Sequence, residues 1–327
     1  EGRPPGASSA IAGRYFESHE RTSKSRTVEV TPDKADHLRG AIAAAVTPLL
    51  AGGDAVDIEA IPPLVEHLAV GGIDGILAMG TTGEGILLDV AERRAVARAF
   101  VDSGRNRLTV MVHCGAQTTN ATALLAAHAA EIGAAAVAVI GPPYYEPDDL
   151  ALAAHFTEAA RACAPLPFFI YELAARAGYA LKPSLIEELR LRIPNLVGLK
   201  VSDTPWEKFE PYLLEGLRIF VGPEALIHRG MERGAVGAVS GLAAAFPEAV
   251  SAVVRHPTTE GAARLGEIRS TMNRFPFQAA LKRILVHRGA PINEACRRPL
   301  RALTQAESTE LDHLAPGLLA TEGANAR

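Results

Sequence analysis

The chain alternates short apolar runs with longer amphipathic stretches, and this rhythm constrains its fold more than any other feature. Each run has the length of a strand and is rich in Val, Ile, Ala and Leu, and the stretches between runs have apolar residues at helical spacing. The runs lie at 41–46, 75–79, 108–113, 135–140, 167–171, 196–201, 217–221 and 235–240. Eight strands that alternate with helices predict an α/β protein, a closed (β/α)8 TIM barrel with a C-terminal helical appendage.

A doubly wound open sheet is the alternative fold for this pattern. Sheets of that class usually carry a GxGxxG turn after the first strand, and the segment 45–54, AVTPLLAGGD, does not match it. Three helix starts are also predicted from capping boxes. These boxes pair Asp89 with Glu92, Ser184 with Glu187, and Thr204 with Glu207.

The chain divides into three predicted parts. Residues 1–37 are polar, rich in Arg, Ser, Glu and Gly, and predict a flexible N-terminal extension. Residues 38–246 contain the eight runs and predict the barrel. Residues 247–327 have Leu, Ile and Val at helical spacing and predict C-terminal helices.

Charge and cysteine usage exclude several classes of partner. Lys and Arg number 33 against 37 Asp and Glu, a net charge of -4, which gives no reason to expect nucleic acid or an anionic membrane as a partner. No apolar run reaches the roughly 18–20 residues that span a bilayer. Cys114, Cys163 and Cys296 are odd in number, far apart and without a CxxC pair. This pattern favours a reducing cytoplasm and argues against disulfides or a zinc site.

In a barrel of this class, chemistry takes place at the C-terminal ends of the strands. The segment GTTGEG, residues 80–85, follows the second run. Its glycines expose backbone N–H groups beside two threonine hydroxyls, a pattern typical of an anion-binding nest. The lysine of a P-loop is missing, so a carboxylate is favoured over a phosphate. An ordinary glycine turn remains the alternative.

Lys200 lies inside the sixth run, LVGLKV, and Tyr171 ends the fifth. An amine buried at a strand end loses hydration, and its pKa falls, which frees the lone pair for attack on a ketone. A tyrosine on the neighbouring strand end can carry the proton transfers that Schiff-base formation needs. The alternatives are a lysine that extends its amine to solvent and a tyrosine that only packs in the core.

His113, at the end of the third run, is the one histidine in a ligand-like position. A metal hydrolase on the same fold would need a second ligand at a suitable spacing, and the sequence offers none. His113 is therefore interpreted as part of the barrel wall, and no metal is expected.

From about residue 40 to 310 the sequence resembles the dihydrodipicolinate synthase / N-acetylneuraminate lyase family of class I aldolases. The resemblance rests on GTTGEG, PPYYEP, YELAARAG, VGLKVSD and ALKRILVHRGAPINEACRRPLRALT, in that order along the chain. It implies a (β/α)8 barrel that forms a homotetramer, a dimer of dimers. It also implies a lyase that binds pyruvate through a lysine Schiff base, without a metal or another cofactor.

The resemblance assigns a role to each matching position. Lys200 corresponds to the Schiff-base lysine, and Tyr171 and Thr81 to the proton relay. Tyr145 corresponds to a tyrosine that reaches a neighbouring subunit's site. Arg176 corresponds to the arginine with which synthases bind the carboxylate of the aldehyde substrate. The remaining positions expected to bind the keto acid are Thr82, Gly83, Gly222 and Val239.

The second-substrate side departs from the family pattern. The family commonly has Tyr-Asn-x-Pro where this chain has Tyr171-Glu172-Leu173-Ala174, and a common Gly-Asp becomes Gly222-Pro223-Glu224. Glu172 is either a catalytic acid for a dehydration or, as we favour from the sequence, a solvated loop carboxylate.

The prediction from these residues is a 4-hydroxy-tetrahydrodipicolinate (dihydrodipicolinate) synthase-like lyase that condenses pyruvate with an acidic aldehyde, because Arg176 is kept. A 2-keto-3-deoxy sugar-acid aldolase or dehydratase of the same family is the alternative. A catalytically silent paralogue that binds keto acids is an alternative from another class. The joint retention of Thr81, Tyr145, Tyr171 and Lys200 argues against it.

Overall fold

A computed structural model of the chain describes residues 35–320. Across this range eight parallel strands form a closed barrel in which each strand pairs with the next and the eighth pairs with the first. The strands are β1 (Gly40–Ala44), β2 (Gly75–Ala78), β3 (Thr109–His113), β4 (Ala136–Ile140), β5 (Phe168–Glu172), β6 (Leu196–Val201), β7 (Arg218–Val221) and β8 (Gly237–Ser240). The predicted TIM barrel is confirmed, and closure between β1 and β8 rules out the open sheet. Most strand bounds differ from the predicted runs by one or two residues.

Helices follow the strands and continue beyond the barrel. They are α1 (Ile61–Val70), α2 (Val90–Gly104), α3 (Thr119–Glu131), α4 (Asp149–Cys163), α5 (Ala174–Ala177), α6 (Pro183–Arg192), α7 (Trp206–Phe209), α8 (Ile227–Glu232), α9 (Pro247–Arg255), α10 (Thr259–Met272), α11 (Phe277–His287) and α12 (Gln305–Leu319). The capping box of Asp89 with Glu92 is confirmed at the start of α2.

The other two predicted capping boxes are wrong, and prolines are the reason. Pro183 takes the first position of α6, so Ser184 already lies inside the helix and cannot cap it. Pro205 is the residue before α7, so Thr204 lies one residue too early to act as the cap. Proline suits a first helical turn because its missing N–H would have had no partner there.

Side chains alternate between the inside and the outside of the barrel along each strand. The interior is filled by one apolar cluster, which includes Ile42, Ala44, Leu77, Met111, Ala136, Ala138, Phe169, Phe220 and Val239. Phe169 and Phe220 approach with ring centroids 5.7 Å apart. Because Tyr171 is two residues beyond Phe169 on β5, its side chain also enters the barrel, at the C-terminal end.

The N-terminal end of the barrel is closed by Ala35 and Leu38, which are buried in the same interior cluster. Residues 1–34, most of the predicted extension, lie outside the described range, and the division into extension, barrel and C-terminal helices stays a prediction. Within the described range no helix combines the length and the apolar character needed to cross a membrane. The three cysteines are free thiols in buried positions. The cytoplasmic location stays a prediction.

Candidate active site

Lys200 and Tyr171 face each other inside the barrel at its C-terminal end. They are register partners on neighbouring strands β6 and β5. Lys200 is 6% exposed and Tyr171 is 2% exposed. The Lys200 Nζ atom lies 3.5 Å from the centroid of the Tyr171 ring. The strand that carries Lys200 is covered on both faces, so its amine is turned into the barrel and not toward water.

The hydroxyl of Tyr171 has hydroxyl neighbours on two other strand ends. It is hydrogen-bonded to Thr81 Oγ1 over 3.2 Å. It also has a side-chain hydrogen bond with Ser202, which follows β6. Ser202 was missed in the sequence, although it lies two residues after Lys200 and therefore on the same side of the strand. These contacts form a chain of groups that can exchange protons.

The pKa values of the pair are shifted by their burial and by each other. Burial lowers the pKa of Lys200, while Tyr171 and Glu224 oppose that shift. Burial by itself raises the pKa of Tyr171, but Lys200, Thr81 and Ser202 together outweigh it and lower that pKa. Desolvation disfavours the ammonium form, so a larger share of Lys200 is the neutral amine that can act as a nucleophile.

The GTTGEG segment forms a tight turn that only glycine permits at two positions. A Cβ atom at Gly83 would lie 2.8 Å from the Ala45 carbonyl oxygen, and one at Gly85 would lie 1.9 Å from that of Met79. The turn leaves the backbone N–H groups of Thr82 and Gly83 without a protein acceptor in residues 35–320. Free amides beside the Lys200 end of the barrel are suited to bind a carboxylate.

Three contacts attach this turn to the C-terminal part of the chain. Glu84, at φ 57°, accepts a hydrogen bond from Lys282 Nζ at 2.6 Å, and both side chains are fully buried. Its other carboxylate oxygen accepts from the backbone N–H of Arg297 at 2.6 Å. Gln278 donates to the Thr81 carbonyl oxygen at 3.2 Å. The sequence reasoning missed Glu84, Lys282 and Gln278. The sequence feature that could have identified Lys282 is its position as a lysine within the apolar run of α11.

A second buried carboxylate joins the loops after β7 and β8. Glu224, 2% exposed, accepts from Ser240 Oγ at 2.7 Å and pairs with Arg269 at 3.2 Å. Gly222 lies just before it, and a Cβ atom there would be 2.2 Å from Ser202 Oγ. Gly222-Pro223-Glu224 departs from the family pattern, yet the hydrogen bonds of Glu224 connect the two loops on this part of the rim. Only glycine fits at position 222 beside Ser202.

His113 lies in the wall beside Tyr171, as interpreted from the sequence. Its ring meets the Tyr171 ring edge-on at 5.8 Å between centroids. Nδ1 lies 3.1 Å from the Met79 carbonyl oxygen, which can only accept, so Nδ1 carries the proton. Burial lowers the pKa of His113 to about 3, so the ring is neutral. In the part of the chain described here, no three His, Cys, Asp or Glu side chains are grouped so that they could hold a metal ion.

Three predicted site residues lie outside the Lys200 cluster. Tyr145 is 77% exposed on the loop after β4 and packs edge-on against Tyr144 at 5.0 Å. Arg176 is exposed in α5 and has no ion-pair partner within residues 35–320. Val239 is 1% exposed and packs in the barrel interior on β8, in register with Ile42. Thr82, by contrast, is buried in the turn next to Thr81 and faces Gly241.

Glu172 does not have the solvated position favoured from the sequence. It is 1% exposed and is the last residue of β5. Because it follows Tyr171 directly, its side chain is on the opposite face of the strand, away from Lys200. Burial, reinforced by Asp203, raises the pKa of Glu172 to about 8. The solvated interpretation is therefore wrong, and its orientation also argues against a catalytic acid.

The chain matches known proteins over most of its length. A family model described as the dihydrodipicolinate synthetase family matches residues 37–316. The N-acetylneuraminate lyase of Mus musculus is 39% identical over 171 residues, 51% of this chain and 53% of that protein. The 4-hydroxy-tetrahydrodipicolinate synthase of Thermus thermophilus is 35% identical over 216 residues, 65% of this chain and 72% of that protein.

A solved structure of a catalytic lysine mutant of the Ruminococcus gnavus sialic acid aldolase has a TM-score of 0.80 and 25% identity, and the match covers 89% of this chain and 98% of that one. The match to the mouse lyase spans about half the length of that relative, whereas the family model extends through the barrel and the C-terminal helices. The resemblance drawn from the sequence motifs is confirmed. The chain belongs to the dihydrodipicolinate synthetase family of lyases.

Proposed function

We propose that this protein is a pyruvate-dependent class I aldolase that forms a Schiff base on Lys200 and condenses pyruvate with an acidic aldehyde, as a 4-hydroxy-tetrahydrodipicolinate synthase does. The observation that carries the proposal is the buried Lys200 amine, 3.5 Å from the ring of Tyr171, whose hydroxyl is bonded to Thr81. The covalent bond to lysine supplies the electron sink, so no metal or organic cofactor enters the reaction.

The first half of the reaction uses Lys200 and Tyr171. The neutral amine attacks the ketone carbon of pyruvate and gives a carbinolamine. The Tyr171 hydroxyl protonates the departing hydroxyl, which leaves as water, and a protonated imine remains on Lys200. Tyr171, now a phenolate, is stabilised by hydrogen bonds with Thr81 and Ser202. It can then accept a proton from the methyl carbon, which restores the phenol and gives the enamine that attacks the aldehyde.

The turn at 80–85 is proposed to hold the carboxylate of pyruvate. The free amides of Thr82 and Gly83 supply two donors, and the Thr82 hydroxyl supplies a third. The tether from Glu84 to Lys282 keeps the turn in place when the ligand binds. Such preorganised donors hold the ketone carbon within reach of the Lys200 amine.

Arg176 is the proposed anchor for the second substrate. Its guanidinium is exposed and has no protein partner in the described range, so it can bind a carboxylate without first breaking an ion pair. The carboxylate of pyruvate already has the turn at 80–85, and a second anion site is therefore useful only if the aldehyde is itself an acid. This step distinguishes the synthase proposal from the processing of a neutral aldehyde.

We further propose that Tyr145 completes the site of a neighbouring subunit in a homotetramer, a dimer of dimers. Tyr144 and Tyr145 project from the barrel with 87% and 77% exposure. Tyr144 has a φ of 86°, a costly conformation for a bulky residue. Two exposed, edge-on tyrosines held on such a backbone are suited to a partner surface and not to solvent.

A 2-keto-3-deoxy sugar-acid aldolase, in the manner of the N-acetylneuraminate lyases, is the second candidate. The 39% identity to the mouse lyase favours it. A dehydratase that uses Glu172 as an acid is disfavoured, since that side chain is directed away from Lys200. The intact set of Lys200, Tyr171 and Thr81 also disfavours a silent keto-acid-binding paralogue.

Reductive trapping tests the proposal. Borohydride added together with pyruvate should reduce the imine and leave a stable adduct on the peptide that contains Lys200, as read by mass spectrometry. Lys282 is the matched internal control, because it is buried but already paired with Glu84, and it should stay unmodified. An unmodified Lys200 at saturating pyruvate would overturn the proposal. A panel of acidic and neutral aldehydes, followed by pyruvate consumption, then separates the two candidates.

A further inference from the structure

The loop after β5 is attached at both ends to two buried carboxyl groups. The backbone N–H of Ala174 donates to Asp203 Oδ1 at 3.1 Å. The backbone N–H of Leu181 donates to Glu172 Oε2 at 3.3 Å. Between these two attachments lies α5 with Arg176, so the carboxyl pair determines where that side chain is presented.

The two carboxyl groups also contact each other. Glu172 and Asp203 are 1% and 8% exposed and share a side-chain hydrogen bond. Glu172 Oε1 and Asp203 Oδ2 are buried and have no donor among the residues described. A proton held between these two oxygens satisfies both and removes the repulsion of two adjacent carboxylates. The two buried oxygens without a donor are therefore placed to share one proton.

The other ionisable groups that face Glu172 are two phenols. Tyr212 donates to the Leu181 carbonyl oxygen at 2.8 Å, and Tyr179 donates to that of Pro142 at 3.0 Å. Burial raises the pKa of both phenols, in Tyr179 to about 12. Both therefore keep their protons over the range in which Glu172 titrates, so their own hydrogen bonds to the loop do not introduce a dependence on pH.

We propose that Glu172 and Asp203 form a proton-sharing clamp that positions the loop at 173–182, and with it Arg176, above the barrel. Glu172 and Asp203 are positioning residues that do not touch the substrate. The hydrogen bonds by which the clamp closes the loop follow from the geometry. The effect of the clamp on substrate binding rests on the proposed function, because the clamp acts through Arg176.

The clamp makes loop closure depend on pH in a definite direction. In the closed loop the pKa of Glu172 is about 8, whereas in an open, solvated loop it returns to the ordinary pKa of a glutamate, 4.5. Closure of the loop therefore takes up one proton at any pH between these two pKa values. The closing equilibrium is most favourable below the lower value, weakens by about tenfold per pH unit through the window, and levels off above the upper one.

Hydrogen exchange read by mass spectrometry measures this directly. Peptides that cover 173–182 should lose protection by about tenfold per pH unit between about pH 5 and pH 8, after correction for intrinsic exchange, and then reach a plateau. In Glu172→Gln the side-chain amide donates to Asp203 and accepts from Leu181 at any pH, so protection should not vary. Peptides from α2 are the control and should behave alike in both proteins. An equal pH slope in wild type and Glu172→Gln would overturn the clamp, and so would a flat wild-type profile.

Asp203→Asn supplies the same proton-independent hydrogen bond, donated from the Asp203 side, and replaces Glu172→Gln if that variant does not fold.

Kinetic measurements then separate the clamp from the proposed function. In wild type the KM for an acidic aldehyde should rise with pH through the same window, with kcat unchanged, and in Glu172→Gln this rise should disappear. A KM rise of equal size in both proteins would refute the positioning of Arg176. Trapping of pyruvate on Lys200 should be the same in all variants, and its failure in wild type would count against the proposed function alone.

Discussion

Lys282, on a helix beyond the barrel, donates a 2.6 Å hydrogen bond to Glu84 in the turn at 80–85, and neither side chain is exposed to solvent. The two residues are 198 positions apart in the sequence. A buried ion pair is costly to form, but the loss of one partner leaves a buried charge without compensation. The C-terminal helices are therefore connected to the part of the rim that is proposed to bind pyruvate.

Lys282→Met should lower the free energy of unfolding by about 3–5 kcal/mol, because it leaves the Glu84 carboxylate buried and unpaired. Urea unfolding at fixed protein concentration measures the loss. Lys182→Met is the control, since Lys182 pairs with Asp149 at an exposed site and its replacement should change stability little. Adding Glu84→Gln to Lys282→Met should recover part of the loss. A double variant no more stable than Lys282→Met would contradict the interpretation.

Tyr171→Phe should bind pyruvate but form and dehydrate the carbinolamine slowly. The variant keeps the ring beneath Lys200 and removes only the hydroxyl that bonds to Thr81. Loss of an acid–base group of this kind slows the step by about 10²–10⁴-fold. Rapid-mixing trapping with borohydride gives the rate of adduct formation. A rate within a few-fold of wild type would show that the relay does not pass through Tyr171.

Arg176→Ala should weaken the second substrate and leave pyruvate trapping on Lys200 unchanged. A charge-assisted hydrogen bond to a carboxylate corresponds to about ten- to a hundredfold in affinity. The KM for acidic aldehydes should therefore rise by that factor, while neutral aldehydes are unaffected. Arg192→Ala is the control, because Arg192 is exposed on α6 and pairs with Glu188. An unchanged KM for every acidic aldehyde would favour the sugar-acid aldolase instead.

Tyr145 can be tested by complementation between two impaired variants. Tyr145→Phe and Lys200→Ala chains, unfolded and refolded together, form mixed dimers. If Tyr145 acts across the interface, each mixed dimer has one complete site, and activity should return to about a quarter of the wild-type value. If Tyr145 acts within its own chain, the mixture stays as inactive as its components. Full activity of Tyr145→Phe alone would remove the residue from the site.

Much of the barrel and of the Lys200 cluster follows from local sequence. Strand order places β5 beside β6 in any closed parallel barrel, and alternation along each strand determines that Tyr171 and Lys200 both face inward once Phe169 does. The turn at 80–85 was recognisable from its glycine pattern, and a Cβ atom does not fit at Gly83 or Gly85. Rules of this kind involve only neighbouring residues, and a sequence displays them directly.

Helix starts were less certain because prolines displace the predicted caps. Pro183 is the first helical residue just before Ser184, and Pro205 itself takes the cap position after Thr204. The burial of Glu172 was not foreseen because Asp203, Leu181 and Tyr212 provide its environment. The fold brings these three residues to Glu172 from later positions in the chain.

The sequence by itself determined the alternation of strands and helices, the family, and the strand ends on which Lys200, Tyr171 and Thr81 lie. Only the tertiary structure decided that Glu84 is bonded to Lys282, that Glu172 is buried beside Asp203, and that Glu224 joins the loops after β7 and β8. The physical reason is that a charged side chain is buried only where a partner compensates for its lost hydration. That partner is set by packing between distant segments, which no local pattern of residues encodes.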